Sequence, residues 1–181
     1  LLDIEPPPLI PFDQADLAPI TLSFYSDNKR VSNQRIKNEL GHKGIRVREI
    51  NLYDLSIEIL KGRGVWDRVL AAEPDQDKAD FRELLQGMLD PQLHLAPAIR
   101  ARIDDGDFDI LFLTGSGEVF PYIRSHNVLN NLQSVVTGKP MLMFFPGRYE
   151  QSDTLGSSLV LFGRLKDDQY YRAKNILEQE A

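Results

Sequence analysis

The segment FDILFLTG (108–115) decides the predicted fold. Its continuous apolar run is typical of an inner parallel strand that is covered on both faces. KPMLMFFPG (139–147) has the same character, and SLVLFGRL (158–165) is predicted to be a third such strand. Strands that alternate with helices predict an α/β fold, a three-layer sandwich with a mainly parallel, Rossmann-like sheet.

Further elements are predicted on either side of these strands. PITLSFYSD (19–27) alternates apolar and polar residues as a half-buried strand does, and IRVREINL (45–52) is predicted to be another strand. Helical spacing of apolar residues predicts a largely helical insertion around residues 64–104, broken at Asp90-Pro91 because a residue before proline is pushed out of the helical region. A last helix is predicted from about Asp167 into the tail.

The first 19 residues differ from the rest of the chain. They hold five of the eleven prolines and four acidic residues, with no Lys or Arg. This composition predicts a Pro-rich acidic N-terminal arm ahead of a single α/β domain over residues 20–181. The arm is either an extended segment that lies against the domain or a partner, or a flexible tail.

Composition excludes several classes of function. The net charge of -6 argues against a broad nucleic-acid-binding surface, which is normally basic. The chain has no cysteine and only three widely spaced histidines, so neither a metal site nor a cofactor is predicted. No apolar run is long enough to span a membrane and no secretory signal is visible, so we expect a cytoplasmic protein.

The turn TGSG (114–117) directly follows the apolar strand. Glycine-rich turns of this kind can place backbone N–H groups around an anion, but the chain has no Walker phosphate loop and Phe120 stands where a dinucleotide fingerprint needs its third glycine. The glycines alternatively serve only to turn the chain tightly. If the flanking strands are parallel neighbours, loops 114–117 and 146–150 share an edge, which is where a ligand is expected.

The helix predicted after Pro121 has one apolar and one polar face. Val128, Leu129, Leu132, Val135 and Val136 share the first face. Asn127, Asn130 and Asn131, here called the asparagine face, share the second with Ser134. Arg124 points the same way if helical geometry extends back to it, and His126 lies at the margin. Asparagine is a poor helix former, so either a recognition surface or a plain solvated face remains open.

The candidate catalytic groups do not form a complete set. Ser116 or Ser125 with His126 would suggest hydrolysis, but no GxSxG elbow is present. Asp167 and Asp168 follow Arg164 and are interpreted as a helix cap rather than as magnesium ligands. No catalytic residue is therefore predicted.

Four segments resemble the BrxB family, a component of bacterial bacteriophage-exclusion (BREX) systems. They are VREINLYDLSIEIL (47–60), FLTGSGEVFPYIRSHNVLNNLQ (112–133), KPMLMFFPGRYE (139–150) and LVLFGRLKDDQYYRA (159–173). The strings IRSHNVLNNLQ and LFGRLKDDQYYRA are the most specific parts, and the resemblance covers about half of the chain. The Pro-rich arm departs from the expected start of the family.

The resemblance implies a non-catalytic accessory or adaptor subunit in antiphage defence. It implies other BREX proteins as partners: a PglZ-type phosphatase-like protein, a BrxC-type ATPase and a PglX-type methyltransferase. The rival hypotheses are a nucleotide- or small-molecule-sensing domain and, third, a metal-dependent nuclease or phosphoesterase. The candidate interaction or ligand residues are Thr114, Gly115, Gly117, Arg124, Ser125, His126, Asn127, Asn130, Asn131, Pro146, Gly147, Arg148, Arg164, Asp167 and Asp168.

Overall fold

The computed structural model describes residues 20–24, 33–152, 156–167 and 173–176. The predicted arm lies outside these ranges. The strands are β1 (Ile20–Phe24), β2 (Val47–Asn51), β3 (Ile110–Thr114), β4 (Met141–Phe145), β5 (Gly147–Ser152), β6 (Gly156–Leu161), β7 (Leu165–Asp167) and β8 (Ala173–Asn175). The helices are α1 (Asn33–His42), α2 (Leu52–Gly62), α3 (Trp66–Ala72), α4 (Lys78–Met88), a π-helical turn (Pro91–Leu95), α5 (Ala96–Ile103) and α6 (Ser125–Leu132).

A parallel sheet forms the centre of the fold. Its order within the described ranges is β2-β3-β4-β1-β8, and each neighbouring pair is parallel. Ile20 pairs with Met141 on one side and with Ala173 on the other, so β1 lies between β4 and β8. The mixed α/β class and the parallel pairing of β3 with β4 are confirmed, although this order differs from the classical dinucleotide-binding order.

Side chains cover both faces of β3 and β4. On one face Phe112 and Phe144 pack edge to face, with ring centroids 5.1 Å apart, against Ile36 and Leu40 of α1. On the other face the core includes Leu113 together with residues of α2, α5 and α6. Burial on both sides explains why the sequence of these strands is apolar without alternation.

The helical insertion is confirmed, including its break. Asp90 Oδ1 accepts hydrogen bonds from the N–H groups of Gln92 at 2.9 Å and Leu93 at 2.8 Å, which caps the turn that begins at Pro91. Leu95 and Ile99 are then almost completely buried in the core. No helix among the described residues has the length and apolar character needed to cross a membrane.

The end of the chain folds differently from the prediction. SLVLFGRL was predicted to be an inner parallel strand, but β6 is the middle strand of an antiparallel sheet with the order β5-β6-β7. A tight turn at Phe162–Arg164, where Phe162 and Gly163 have φ of 52° and 67°, reverses the chain. A short turn joins antiparallel strands, whereas parallel strands need a long crossover.

The helix predicted from Asp167 is also wrong. Residues 165–167 are β7 and residues 173–175 are β8, which joins the parallel sheet beside β1. Strand pairing with Leu159–Leu161 therefore overrides the capping signal of the two aspartates, since strand formation depends on context more than on local propensity. Asp168 lies outside the described residues.

Candidate functional site

The turn after β3 packs on the start of α2. Gly115 has φ of 75°, and a Cβ there would lie 2.5 Å from Asn51 Oδ1. That oxygen accepts hydrogen bonds from the N–H groups of Tyr53 at 2.8 Å and Asp54 at 3.2 Å, so Asn51 caps α2. The buried Thr114 hydroxyl is 3.3 Å from Glu49 Oε1 and donates to it. Both residues have structural roles at this strand end.

The second half of the turn packs on the end of β4. The Ser116 hydroxyl is buried and donates to the carbonyl oxygen of Phe144 at 2.9 Å. A Cβ on Gly117 would lie 2.6 Å from Pro146 Cγ and 3.3 Å from Phe162 Cε1. The two strand ends therefore share an edge, as the sequence predicts, but side chains fill the space directly between them.

Residues 146–150 are not an open loop. The strand β5 begins at Gly147, which is buried against the backbone of Val160 so closely that a Cβ would overlap its carbonyl oxygen. Pro146 is half-buried, and its carbonyl oxygen accepts the Phe162 N–H at 2.8 Å. The exposed Arg148 Nη2 lies 3.7 Å from Glu150 Oε1. The ligand loop predicted here is corrected to a strand, because Gly147 lets the backbone approach β6.

The amphipathic helix is confirmed, and its asparagines differ in environment. Val128, Leu129 and Leu132 are buried. Asn127 and Asn130 are exposed, whereas Asn131 is half-buried and its Nδ2 donates to the Asn127 carbonyl oxygen at 2.7 Å. The helix ends at Leu132, earlier than the predicted stretch to Val136. Two of the three asparagine side chains are therefore exposed.

Arg124, Ser125 and His126 lie at the N-terminal end of α6. Arg124 is the N-cap residue with φ of -96° and ψ of 134°, and its side chain makes no capping hydrogen bond. It is exposed, while Ser125 and His126 are half-buried. Among the described residues, neither Arg124 nor Arg164 has a hydrogen-bond or ion-pair partner for its guanidinium group. Both cations are thus available to groups from outside the described chain.

A cavity of about 240 Å³ lies between the start of α6 and the β6–β7 hairpin. It brings together Arg124, Ser125 and Arg164 of the predicted residues. Thr114, Gly115 and the asparagine face do not line it. The sequence does not predict its apolar lining, because residues 158–165 have the pattern of one continuous strand. In the structure they form part of a hairpin that folds Arg164 back towards α6. That apolar lining consists of Phe120, Phe145, Leu159, Leu161 and Leu165.

An ion-pair cluster lies at the opposite edge of the sheet, where β2 and β3 begin. Arg46 Nη2 is 2.8 Å from Asp109 Oδ1, and the Arg46 Nε and backbone N–H donate to Asp109 Oδ2 at 3.0 and 2.8 Å. These hydrogen bonds, rather than burial, lower the pKa of Asp109 to about 2. Arg48 similarly lowers the pKa of Asp105, whose Oδ2 lies 3.0 Å from Arg48 Nη2.

This cluster was missed, since the sequence around Asp105 predicts only a turn. Lys139 reaches the carbonyl oxygens of Gly106 and Phe108 from the segment before β4, and its Nζ lies 4.2 Å from the centroid of the Phe108 ring. Every charge in it is thus engaged within the fold. The described part of the chain holds no group of three or more His, Asp or Glu side chains arranged to hold a metal ion.

The protein is a mixed α/β protein with a parallel sheet, a second, antiparallel sheet and a helix that exposes two asparagine side chains. The family model described as "BREX protein BrxB" matches residues 48–176. The chain belongs to the BrxB family and is thereby a component of a BREX antiphage defence system.

Two relatives carry the same description. A BREX protein BrxB of Bacillus cereus (strain H3081.97) is 38% identical over 151 residues, covering 81% of this chain and 72% of the relative. A BREX protein BrxB of Escherichia coli O9:H4 (strain HS) is 32% identical over 128 residues, covering 71% of this chain and 61% of the relative. No solved structure matches the chain significantly.

Proposed function

We propose that this protein is a non-catalytic accessory or adaptor subunit of a BREX antiphage defence complex, acting through protein–protein contacts. The observation that carries the proposal is the outward presentation of Asn127 and Asn130 on a helix that is otherwise held by its buried face. Each amide offers both donors and an acceptor, so together they suit the backbone or polar side chains of a partner. Solvated helix positions favour Lys, Glu or Gln, which makes the amides costly unless they are used.

The partners in this proposal are other BREX proteins. A PglZ-type protein, a BrxC-type ATPase and a PglX-type methyltransferase are the candidates, in a cytoplasmic complex. Support comes from the family, and from the net charge of -6, which does not favour direct, broad nucleic-acid binding by this subunit. We also propose that the domain is a three-layer, Rossmann-like sandwich, in which α1 and the other helices cover opposite faces of the sheet.

The test is co-purification of BREX components with a tagged chain from cells that carry the neighbouring genes. Asn127→Lys with Asn130→Lys should abolish co-purification, because two bulky charges replace the amides at the interface. The matched control is Gln34→Lys with Asn38→Lys, which adds the same charge to exposed positions of α1. Both double variants should melt like the wild type. Undiminished capture by the α6 variant would contradict the proposal, as would a wild-type chain that captures no component.

The alternative is a nucleotide- or small-molecule-sensing domain that uses residues 114–117 and 146–150. The packing of Gly117 on Pro146 and the strand that begins at Gly147 leave this alternative weaker. A ligand that binds only the native state must raise its stability. A thermal-shift screen with nucleotides and methyl donors tests it, and a rise in melting temperature that grows with ligand concentration would restore it.

A further inference from the structure

We propose that the cavity between the start of α6 and the β6–β7 hairpin binds an acidic segment of a partner protein, which inserts one large apolar side chain. The inference rests on the proposed function and deepens it, because it assigns the chemistry of the contacting segment. It concerns a surface next to the asparagine face but not part of it.

The floor of the cavity is apolar. Phe145, Leu159 and Leu161 line it, and their exposed fractions are 2%, 1% and 6%. Strand pairing holds the backbone of all three residues, Phe145 beside β1 and Leu159 and Leu161 beside β5, so the cavity exists before any ligand arrives. An apolar group placed there leaves water without giving up hydrogen bonds, which favours an aliphatic or aromatic side chain.

Two arginine side chains line the same cavity. Arg124 comes from the start of α6 and Arg164 from the turn between β6 and β7. The nearby Arg148 is already paired with Glu150, whereas these two have no acidic partner among the described residues. Two arginines without an acidic partner within the described ranges are unusual in a chain with a net charge of -6. Together with the apolar floor, they complement a segment in which carboxylates flank an apolar side chain.

The size of the cavity and its surroundings favour a protein as the ligand. Its volume of about 240 Å³ is below the roughly 300–1,000 Å³ typical of small-molecule sites. Leu165 of the lining is 46% exposed, and Phe162, which packs against Phe120 of the lining, is 52% exposed, so apolar surface continues beyond the cavity. At the energetic centre of a protein interface, one partner commonly inserts a large side chain into a pocket of the other. Arginine and aromatic residues are typical of such centres.

The test is a fluorescence-polarisation titration of the full chain with a labelled peptide in which one Phe is flanked by two Asp on each side and capped with Gly. Saturable binding is expected, and it should weaken at higher salt. Arg124→Glu with Arg164→Glu should reduce the affinity at least tenfold. The control, Arg82→Glu with Arg100→Glu, changes two exposed arginines elsewhere by the same charge and should bind like the wild type.

Two further peptides separate the contributions. Exchanging Asp for Asn removes the carboxylates, and exchanging Phe for Gly removes the anchor, so each should bind at least fivefold more weakly. Equal affinity of the wild type and the Arg124→Glu, Arg164→Glu variant would overturn the proposal, as would equal binding of the Asn peptide. Arg124→Gln with Arg164→Gln repeats the test without charge reversal if the first variant melts lower.

Separate experiments test the occupant of the cavity and the proposed function. If deleting residues 1–19, which hold acidic and apolar residues, raises the affinity for the peptide, the chain's own segment competes for the cavity and the assignment to a separate partner is overturned. A wild-type chain that captures no BREX component contradicts the proposed function, while the peptide titration still decides what the cavity binds.

Discussion

Asn51 and Gly115 are in direct contact across the ends of two neighbouring strands. Asn51 pairs with Thr114 in the register of β2 and β3, and the next residue, Gly115, lies against the Asn51 side-chain oxygen that caps α2. The glycine of this turn is therefore needed for packing and for its backbone conformation. A phosphate site is not required to explain it.

Replacement of Gly115 by Ala should destabilise the fold by about 2–4 kcal/mol, because a positive φ is strained for Ala and the new Cβ displaces the helix cap. Gly138→Ala is the matched control. Its φ is 73°, but nothing lies within 4 Å of the added Cβ, so about 1 kcal/mol is expected. Urea unfolding measures both. Equal losses of unfolding free energy in the two variants would contradict the contact.

Replacement of Asn51 by Ala should cost about 1 kcal/mol through loss of the α2 cap. Asn51→Asp keeps an acceptor at the helix start and should retain most of the stability. In the Asn51→Ala background, Gly115→Ala should cost less than it does alone, since the displaced oxygen is gone. Additive losses in this double-mutant cycle would show that the two residues are not coupled.

Replacement of Ser116 by Ala should lower the free energy of unfolding by about 1–2 kcal/mol. It removes a buried hydrogen bond and leaves the Phe144 carbonyl oxygen without this donor. Ser134→Ala in the exposed turn after α6, where the Ser134 hydroxyl lies 3.4 Å from the Asn131 carbonyl oxygen, should change stability little. Chemical denaturation compares the two. A Ser116→Ala variant as stable as the wild type would remove this structural role.

The pair Arg46–Asp109 should make stability depend on acid pH. The pKa of Asp109 is about 2 in the folded chain, below its ordinary value of about 3.9. A depressed pKa contributes stability that is complete above the unfolded value and is lost as pH falls through the folded value. The wild type should therefore lose stability more steeply than Asp109→Asn between about pH 4 and pH 2.

Urea unfolding at a series of pH values measures this difference. Asp75→Asn serves as the control, because Asp75 is exposed and its side chain has no partner among the described residues. Its pH profile should follow the wild type. Parallel curves for the wild type and Asp109→Asn would show that the ion pair does not shift the titration of Asp109.

The sequence predicts the inner strands and the insertion well, and the chain end poorly. β3 and β4 have strong local signals, because burial on both faces demands uninterrupted apolar residues. SLVLFGRL looks the same locally, yet its pairing is decided by the turn at Phe162–Arg164 and by where β5 lies. Non-local pairing of this kind leaves little trace in one sequence.

For the same reason, the sequence predicts only part of the candidate site. The amphipathic face of α6 follows from spacing alone, and the structure confirms it. By contrast, the meeting of Arg124 with Arg164 depends on the hairpin, so spacing could not predict it. The hydrogen bond from Asn131 to the Asn127 carbonyl oxygen could not be predicted either, because the residue type does not show whether a side-chain amide is bonded within its own helix.

The position of β1 has a consequence for biosynthesis. Among the described residues β1 is the first strand, and it pairs with β4 and β8, so neither partner has been synthesised before residue 141. Until then β1 has no neighbours in its sheet, and both of its edges can pair wrongly. Closing such long loops slows folding, because the chain must give up entropy before the contacts form. The parallel sheet of this BREX component is therefore completed only once β8, residues 173–175, has been synthesised.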